Sequence, residues 1–237
     1  ALMQNEALAV EIAAAVVNAC APRGVPVTLK MRTGWSQEHK NAVALARQFE
    51  AVGIQMLTVH GRTREQGYRG MAEYDTIAAV KQAVRVPVVA NGDITSPEKA
   101  REVLAATGAD AIMVGRAAQG RPWIFREMGH FLATGEHLPP PRVAEVRALL
   151  LEHLQDHYSL YGAYTGVRTA RKHIAWYVRA LPGGEALRQH INTLETCDAQ
   201  WQAVAHYLDA LGDQMERLPA ATGTTEPLQD ETEEPSA

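Results

Sequence analysis

Two neighbouring stretches decide the fold, VPVVANGDI at residues 86–94 and DAIMVGRAAQGRPWIF at residues 110–125. Each is an apolar run of strand length that ends in glycine and a polar or charged residue. VPVTLKMRTGW at residues 25–35 and MLTVHGRTR at residues 56–64 end in the same way. Because helical stretches separate the four runs, the pattern predicts parallel strands whose carboxyl ends share one polar site.

The spacing of these runs extends the prediction to the fold class. The strands recur about every 25–30 residues with a helix between each pair, as in a parallel βα repeat. One of these helices is expected to begin at an N-cap, Ser36, and to end near Ala51. We predict an α/β chain, the C-terminal half of a (β/α)8 TIM barrel with four parallel βα units, followed by a small all-helical domain. Four strands are half of such a barrel, so the chain is expected to be truncated at its N-terminus.

The domain boundary is predicted at the proline-rich segment EHLPPP, residues 136–141. Such a segment is stiff and interrupts helices. The partial barrel is therefore assigned to residues 1–135 and the helical domain to residues 142–217. Residues 218–237 are rich in Thr, Pro and Glu and lack apolar periodicity, so they are expected to form a disordered acidic tail.

Composition indicates a soluble globular protein. Of the 237 residues, 46% are hydrophobic and 21% charged, and no apolar stretch is long enough for a membrane span. The two cysteines, Cys20 and Cys197, fit a reducing compartment, so we expect a cytoplasmic location and no membrane partner. The net charge of −4 depends on the tail, because without it 23 basic residues face 22 acidic ones.

Two candidate site residues point into the predicted barrel mouth. Strand alternation places Lys30 opposite Leu29 and Met31, where an ammonium is costly unless it meets an anion or an electron-rich ring. A solvated lysine at the rim is the alternative. His60 ends the second strand in the same inward phase, although a single histidine at a strand end is more often structural than catalytic.

Glycine-containing strand ends suggest a phosphate site. Asn91, Gly92 and Asp93 follow the third strand, and Gly115 and Arg116 follow the fourth. Glycine lets backbone N–H groups approach a phosphate, and arginine supplies a bidentate cation. Loops after the last two strands hold phosphate in many barrels of this type. Two ordinary turns are the alternative.

A basic helix suggests a second site. Residues 162–181 contain four cations and no acidic residue, and their apolar residues cluster on one side of a helical wheel. The cations Arg168, Lys172 and Arg179 lie nearly opposite, Arg171 lies at the border, and Tyr164, Trp176 and Tyr177 lie among them. This pattern favours an anionic partner, nucleic acid above all, over a solvated charged face.

The motifs LKMRTGW, VHGRTREQGY, VANGDI, VGRAAQGRPWIF and RTARKHIAWY, in this order, resemble the tRNA-dihydrouridine synthases, most closely their bacterial B-type branch. The resemblance covers about residues 1–211. It implies an FMN-binding barrel followed by a helical tRNA-binding domain. It also implies NADPH-dependent reduction of the C5–C6 bond of a tRNA uridine, in which the flavin delivers hydride to C6 and a cysteine protonates C5.

The same resemblance implies roles for individual residues. Lys30 and His60 would lie beside the flavin, and Arg62 near the target base. The FMN ribityl phosphate would be held by Asn91, Gly92, Asp93, Gly115 and Arg116. The tRNA would be contacted by Arg168, Arg171 and Lys172. No metal is implied, and protein partners remain unspecified.

One departure from the family pattern affects catalysis. The family cysteine belongs to a GCP motif upstream of a segment like ALMQNEALAV, so it would fall before Ala1, and no catalytic residue is expected in this chain. Neither Cys20, in a helix, nor Cys197, in the helical domain, can replace it. Two alternatives stay open: an FMN-barrel dehydrogenase of a free pyrimidine, and a non-catalytic RNA-binding fragment.

Overall fold

The computed structural model describes residues 2–220, which form two compact units divided between Gly115 and Arg116. The division precedes the helix Ile124–Thr134, which therefore belongs to the second unit. The proline-rich segment at residues 136–141 contains no helix or strand, as expected, but it lies inside the second unit.

Four parallel strands form the sheet of the first unit. They pair in the order β1–β2–β3–β4, so each strand lies beside the next one in the chain. This order confirms the predicted α/β class with four parallel βα units followed by helices. The strands are β1 (Thr28–Arg32), β2 (Met56–His60), β3 (Val88–Asn91) and β4 (Ala111–Met113).

Helices alternate with these strands, and consecutive helices pack against each other. The capping signals are clearest at the fourth of these helices. The Ser96 side chain caps its start by accepting a hydrogen bond from the Lys99 N–H, and Gly108 ends it in the left-handed conformation. The helices are α1 (Glu6–Cys20), α2 (Ala42–Ala51), α3 (Asp75–Ala83) and α4 (Pro97–Thr107), with short 3-10 turns at Leu2–Gln4 and Ala21–Arg23.

The start of α2 differs from the prediction. Ser36 lies in a loop, where its hydroxyl contacts Nδ1 of His39 at 3.1 Å, and the helix begins only at Ala42. The loop after β1 is held by the loop after β2, since the N–H of Arg64 donates to the Gly34 carbonyl. The predicted Ser36 cap is therefore wrong, because backbone bonds between two distant loops prevail over a local capping preference.

The core of the first unit lies between the sheet and its helices. Leu57, Val59, Val88 and Ala90 face this core and are fully buried. Their alternation along β2 and β3 places the intervening residues on the opposite face of the sheet. Thr58, His60 and Asn91 occupy that opposite face, so it is the polar one.

The second unit is helical. Its core lies between α6, α7 and α8, with Leu150, Ile174 and Leu208 among its most buried side chains. No helix within residues 2–220 is long and apolar enough to cross a membrane. The helices are α5 (Ile124–Thr134), α6 (Val143–Val178), α7 (Gly184–Ile191) and α8 (Cys197–Gln214), after a short 3-10 turn at Arg116–Ala118.

The described residues extend slightly into the predicted tail. Leu218 is buried in the helical core, and its N–H donates to the Pro141 carbonyl. The expected start of the disordered tail at residue 218 is thus wrong, because a leucine that fits the core is held there. Residues 221–237, which contain the acidic residues of the predicted tail, lie outside the described residues.

Helix α6 is broken at Gly162. Gly162 has φ 72° and ψ 171°, a combination that is essentially restricted to glycine. A buried amide joins the two arms: Gln200 accepts a hydrogen bond from the Tyr158 hydroxyl and donates one to the Val167 carbonyl. Tyr158 precedes the break and Val167 follows it, so Gln200 clamps both arms to α8.

Alanine substitutions at two glycines of the second unit should change its stability in opposite directions. Gly162→Ala should lower the free energy of unfolding by about 1–3 kcal/mol, because alanine is strained at this backbone geometry. Gly129 is exposed and helical, and a Cβ there meets no atom within 4 Å. Gly129→Ala should therefore raise stability by about 0.5–1 kcal/mol.

Urea denaturation followed by far-UV circular dichroism measures both changes in the same unit. A Gly162→Ala variant as stable as Gly129→Ala would show that the break does not require glycine.

Candidate functional site

The sheet register brings the polar strand ends together. Arg32 aligns with His60, His60 with Asn91, and Asn91 with Met113, so these four lie in one row across the sheet. Aligned residues of neighbouring parallel strands point to the same face. Lys30 lies two residues before Arg32, on the same face. The structure therefore brings the predicted residues Lys30, His60 and Asn91 into one patch at the carboxyl ends of the strands.

Lys30 carries a charge that the first unit does not balance. Partial burial lowers the pKa of its ammonium, and the nearby Arg32 guanidinium lowers it further. Within residues 2–220 the Nζ atom of Lys30 makes no hydrogen bond or ion pair. An ammonium in this position favours an anion placed over the patch.

Arg32 belongs to the patch, although its motif alone did not single it out. Its Nη1 atom donates to the carbonyls of Thr63 and Gly67, both at 2.9 Å, so it holds the loop after β2. Its guanidinium lies 5.9 Å from the ring of Tyr68. The sequence does contain a signal for Arg32. Side chains alternate between the two faces of a strand, so the residue two positions after the inward-facing Lys30 also points inward.

His60 is buried at the centre of the patch. Burial lowers its pKa to about 4, and the positive charges of Arg32, Lys30 and Arg62 add to this effect while Asp93 opposes it. The imidazole is therefore neutral at neutral pH. A neutral imidazole both donates and accepts hydrogen bonds. His60 can thus orient a polar ring system but does not add positive charge.

Arg62 and Asp93 form an ion pair in which the arginine is buried and the carboxylate is partly exposed. The Arg62 guanidinium donates to both carboxylate oxygens of Asp93, at 2.9 and 2.7 Å, and also to the Gly70 carbonyl. One Asp93 oxygen accepts a further bond from the Ala72 N–H at 2.8 Å. Only 3% of the Arg62 side chain is exposed. In this arrangement both side chains fix the loop at residues 61–74.

Close packing explains the glycine between Asn91 and Asp93. Gly92 has φ 127°, and a Cβ there would lie 2.7 Å from the Cβ of Ala72 and 3.1 Å from the His60 ring. The Gly92 carbonyl accepts a hydrogen bond from the Tyr74 hydroxyl. Asn91 is also engaged, since its Nδ2 donates to the Met113 carbonyl at 2.8 Å. Asn91 and Gly92 thus join β3 to its neighbours.

Gly115 differs from Gly92 because it is open. A Cβ at Gly115 would meet no heavy atom of the described chain within 4 Å. A ligand can therefore approach this backbone closely. Arg116 follows directly and begins the 3-10 turn that opens the second unit. The ammonium of Lys30 and this open glycine backbone both favour an anionic group.

The residues predicted to bind nucleic acid lie in the second unit and differ in how exposed they are. Arg168 and Lys172 are exposed on α6, where the Arg168 guanidinium lies 3.7 Å from the Tyr164 ring centroid. Arg171 is half-buried, and its Nη2 atom donates to the Leu194 carbonyl, so it anchors the connection between α7 and α8. Tyr177 lies in the helical core rather than among the cations, because it falls on the apolar side of the helix.

Comparisons with known proteins identify the family. The model of the dihydrouridine synthase (Dus) family matches residues 1–212. This chain belongs to that family. Among curated relatives, the tRNA-dihydrouridine synthase B of Pseudomonas aeruginosa is 56% identical over 207 residues, which are 87% of this chain and 61% of that protein.

Two further relatives carry the same name. The protein of Pseudomonas putida is 58% identical over 84% of this chain and 58% of its own length. The protein of Yersinia pestis is 52% identical over 89% of this chain and 65% of its own length. The chain therefore spans about three fifths of the relatives that it matches. Among solved structures, that of nitroalkane oxidase from Streptomyces ansochromogenes is 25% identical, with a TM-score of 0.33. The match covers 45% of this chain and 31% of the oxidase chain.

The low pKa of His60 predicts a pH-dependent stability. The unfolded histidine has a pKa near 6.5 and the folded one about 4, so acidification protonates the unfolded chain first. The contribution of His60 to the free energy of unfolding should therefore fall by about 2 kcal/mol as the pH is lowered from 6.5 to 4. This loss is smaller than the pKa difference alone would give, because solvent screens a partly exposed group. His60→Gln should remove this contribution.

Urea denaturation of both proteins at several pH values measures the difference. His206→Gln, at an exposed position of the second unit, serves as the matched control. Parallel stability profiles of the parent and His60→Gln would contradict the prediction.

The ion pair between Arg62 and Asp93 predicts a large cost for its disruption. Arg62→Met removes the guanidinium that donates to both Asp93 oxygens and should lower the free energy of unfolding by about 3 kcal/mol. Lys99→Met breaks the more exposed pair between Lys99 and Glu102 and should cost less than about 1 kcal/mol. Thermal denaturation of the two variants compares these effects, and equal losses would mean that Arg62 does not stabilise the loop.

Proposed function

We propose that this chain contributes the FMN-binding strand ends and the tRNA-binding helices of an enzyme that reduces specific tRNA uridines to 5,6-dihydrouridine with NADPH. Membership of the Dus family supports the proposal, as do relatives named tRNA-dihydrouridine synthase B. The observation that carries it is the half-buried ammonium of Lys30, which lies on the same face of the sheet as the neutral imidazole of His60 at the strand ends.

In this proposal the strand ends hold the cofactor. FMN, when bound, supplies the hydride for the uracil ring. Lys30 would lie beside the ring system, where its ammonium would stabilise negative charge. His60 offers hydrogen bonds without a competing charge. The open backbone at Gly115 and the guanidinium of Arg116 take the phosphate, while Arg62 and Asp93 keep the adjacent loop in place.

The tRNA is proposed to lie against the exposed cations of α6. Arg168 and Lys172 supply phosphate contacts, and no acidic residue occurs at positions 162–181. Arg171 supports this surface by fixing the connection before α8. A tRNA substrate and NADPH place the enzyme in the cytoplasm.

The proton donor is proposed to lie in a part of the enzyme that this chain does not contain. Cys20 ends α1, and Cys197 begins α8 in the second unit. Neither follows one of the four strands, so neither belongs to the row formed by Arg32, His60 and Asn91. The relatives are longer than the matched region and leave room for such a residue.

An activity measurement tests the proposal. A longer protein that contains this chain, at the length of its relatives, should form dihydrouridine in an unmodified tRNA transcript with FMN and NADPH. Lys30→Ala should slow turnover roughly a hundredfold, since it removes one preorganised charge. Arg116→Ala should weaken FMN binding by about 1.5–3 kcal/mol. Lys99→Ala, on α4, is the matched control.

Three results would contradict the proposal in different ways. Turnover by the chain that begins at Ala1 would show that its proton donor is present. Reduction of a free pyrimidine but not of tRNA would favour another flavin dehydrogenase. Binding of tRNA without any flavin absorbance would leave a non-catalytic RNA-binding protein.

A further inference from the structure

The break in α6 exposes an apolar and aromatic surface. Leu160, Tyr161 and Tyr164 surround Gly162, with 76%, 52% and 72% of their area exposed. Tyrosines are usually at least partly buried in a folded domain, so two adjacent exposed rings are an unusual feature. Such rings present a flat face to a partner at low cost in side-chain entropy.

The exposed Tyr164 ring continues into the exposed cations along one face of the helical arm that follows the break. Tyr164, Arg168, Lys172 and Trp176 are each four residues apart, so they follow one another on the same side of α6. The Arg168 guanidinium stacks over the Tyr164 ring at 3.7 Å, and Nζ of Lys172 lies 5.6 Å from the Trp176 ring. Residues 161, 164, 168 and 172 are called the aromatic–basic stripe.

The Tyr161 ring of the stripe is supported by a contact with a second aromatic ring. The Tyr161 ring lies 4.6 Å from the ring of His157, which is buried and in contact with the Thr169 hydroxyl at 2.7 Å. His157 therefore contacts the exposed Tyr161 ring and joins the two arms of α6. The surface is held by the folded helices rather than formed by a loose loop.

We propose that the aromatic–basic stripe binds an unpaired RNA strand, with bases stacked on Tyr161 and Tyr164 and the adjoining phosphates bound by Arg168 and Lys172. The inference rests on the proposed function and deepens it, because it specifies which kind of tRNA segment this surface takes. Base stacking on aromatic rings, combined with nearby cations, is a general mode of single-strand binding.

An unpaired strand fits the stripe better than a duplex does. In an A-form helix the bases are stacked on each other, and proteins contact mainly its phosphates and 2′-hydroxyls. Cations alone would be enough for that contact, and the exposed rings would gain nothing. Positions four residues apart are about 6 Å apart along α6, which suits the successive phosphates of an extended strand.

Binding of two RNAs to the full chain tests the proposal. Fluorescence anisotropy is measured with a labelled single-stranded oligonucleotide and with a duplex of the same sequence. Tyr164→Leu and Tyr161→Leu should each lower the affinity for the single strand roughly tenfold. They should leave the duplex affinity unchanged. Tyr164→Phe and Tyr161→Phe keep the ring and should bind like the parent.

The salt dependence of RNA affinity distinguishes the contribution of the rings from that of the cations. The effect of the Tyr→Leu variants should persist when salt is raised, whereas the effect of Arg168→Ala with Lys172→Ala should shrink. Phe125→Leu, which removes an exposed ring elsewhere in the second unit, is the matched control and should have no effect. Circular dichroism confirms that each variant is folded.

The outcomes distinguish this inference from the proposed function. Unchanged single-strand affinity in both Tyr→Leu variants, or an equal loss for the duplex, would overturn the stripe as a stacking surface and leave the tRNA proposal intact. A change in oligomeric state on sedimentation without a change in RNA affinity would overturn it in favour of contact with a second copy of the chain. Binding of neither RNA, nor of tRNA, by the parent would remove both proposals.

Discussion

The ion pair between Arg62 and Asp93 is the interaction on which the strand-end site depends. It joins the loop after β2 to the turn after β3, and its arginine is almost fully buried. Asp93 adopts a positive φ of 49°, which is uncommon for a residue other than glycine. The bonds from Arg62 and from the Ala72 N–H hold the carboxylate in this conformation. The position of His60 beside Gly92 follows from the same arrangement.

This pairing also determines the electrostatics of the patch. Asp93 is the acidic residue that acts on His60, and Arg62 already binds its two oxygens. Burial lowers the pKa values of His60 and Lys30, and the nearby Arg32 guanidinium lowers both further. A surface built in this way attracts a negative group through its backbone and cations, while its histidine remains uncharged.

Much of the fold could be predicted because its signals are local. The strand Met56–His60, the Ser96 cap and the break at Gly162 follow from alternation, capping and glycine geometry. What could not be predicted depends on distant contacts. Backbone bonds to a second loop displaced the cap expected at Ser36. Motif matching assigned Arg62 to the substrate, whereas its burial against Asp93 appears only when two loops meet in space.

The clamp at Gln200 has a thermodynamic consequence. The amide is fully buried and satisfied on both sides, by Tyr158 before the break in α6 and by Val167 after it. The backbone around Gly162 is thus ordered when the helices fold. Fixing a backbone costs about 1–2 kcal/mol of entropy per residue, and here folding has already met that cost. A partner that contacts this surface has only side-chain rotations left to restrict, so more of its contact energy remains as affinity.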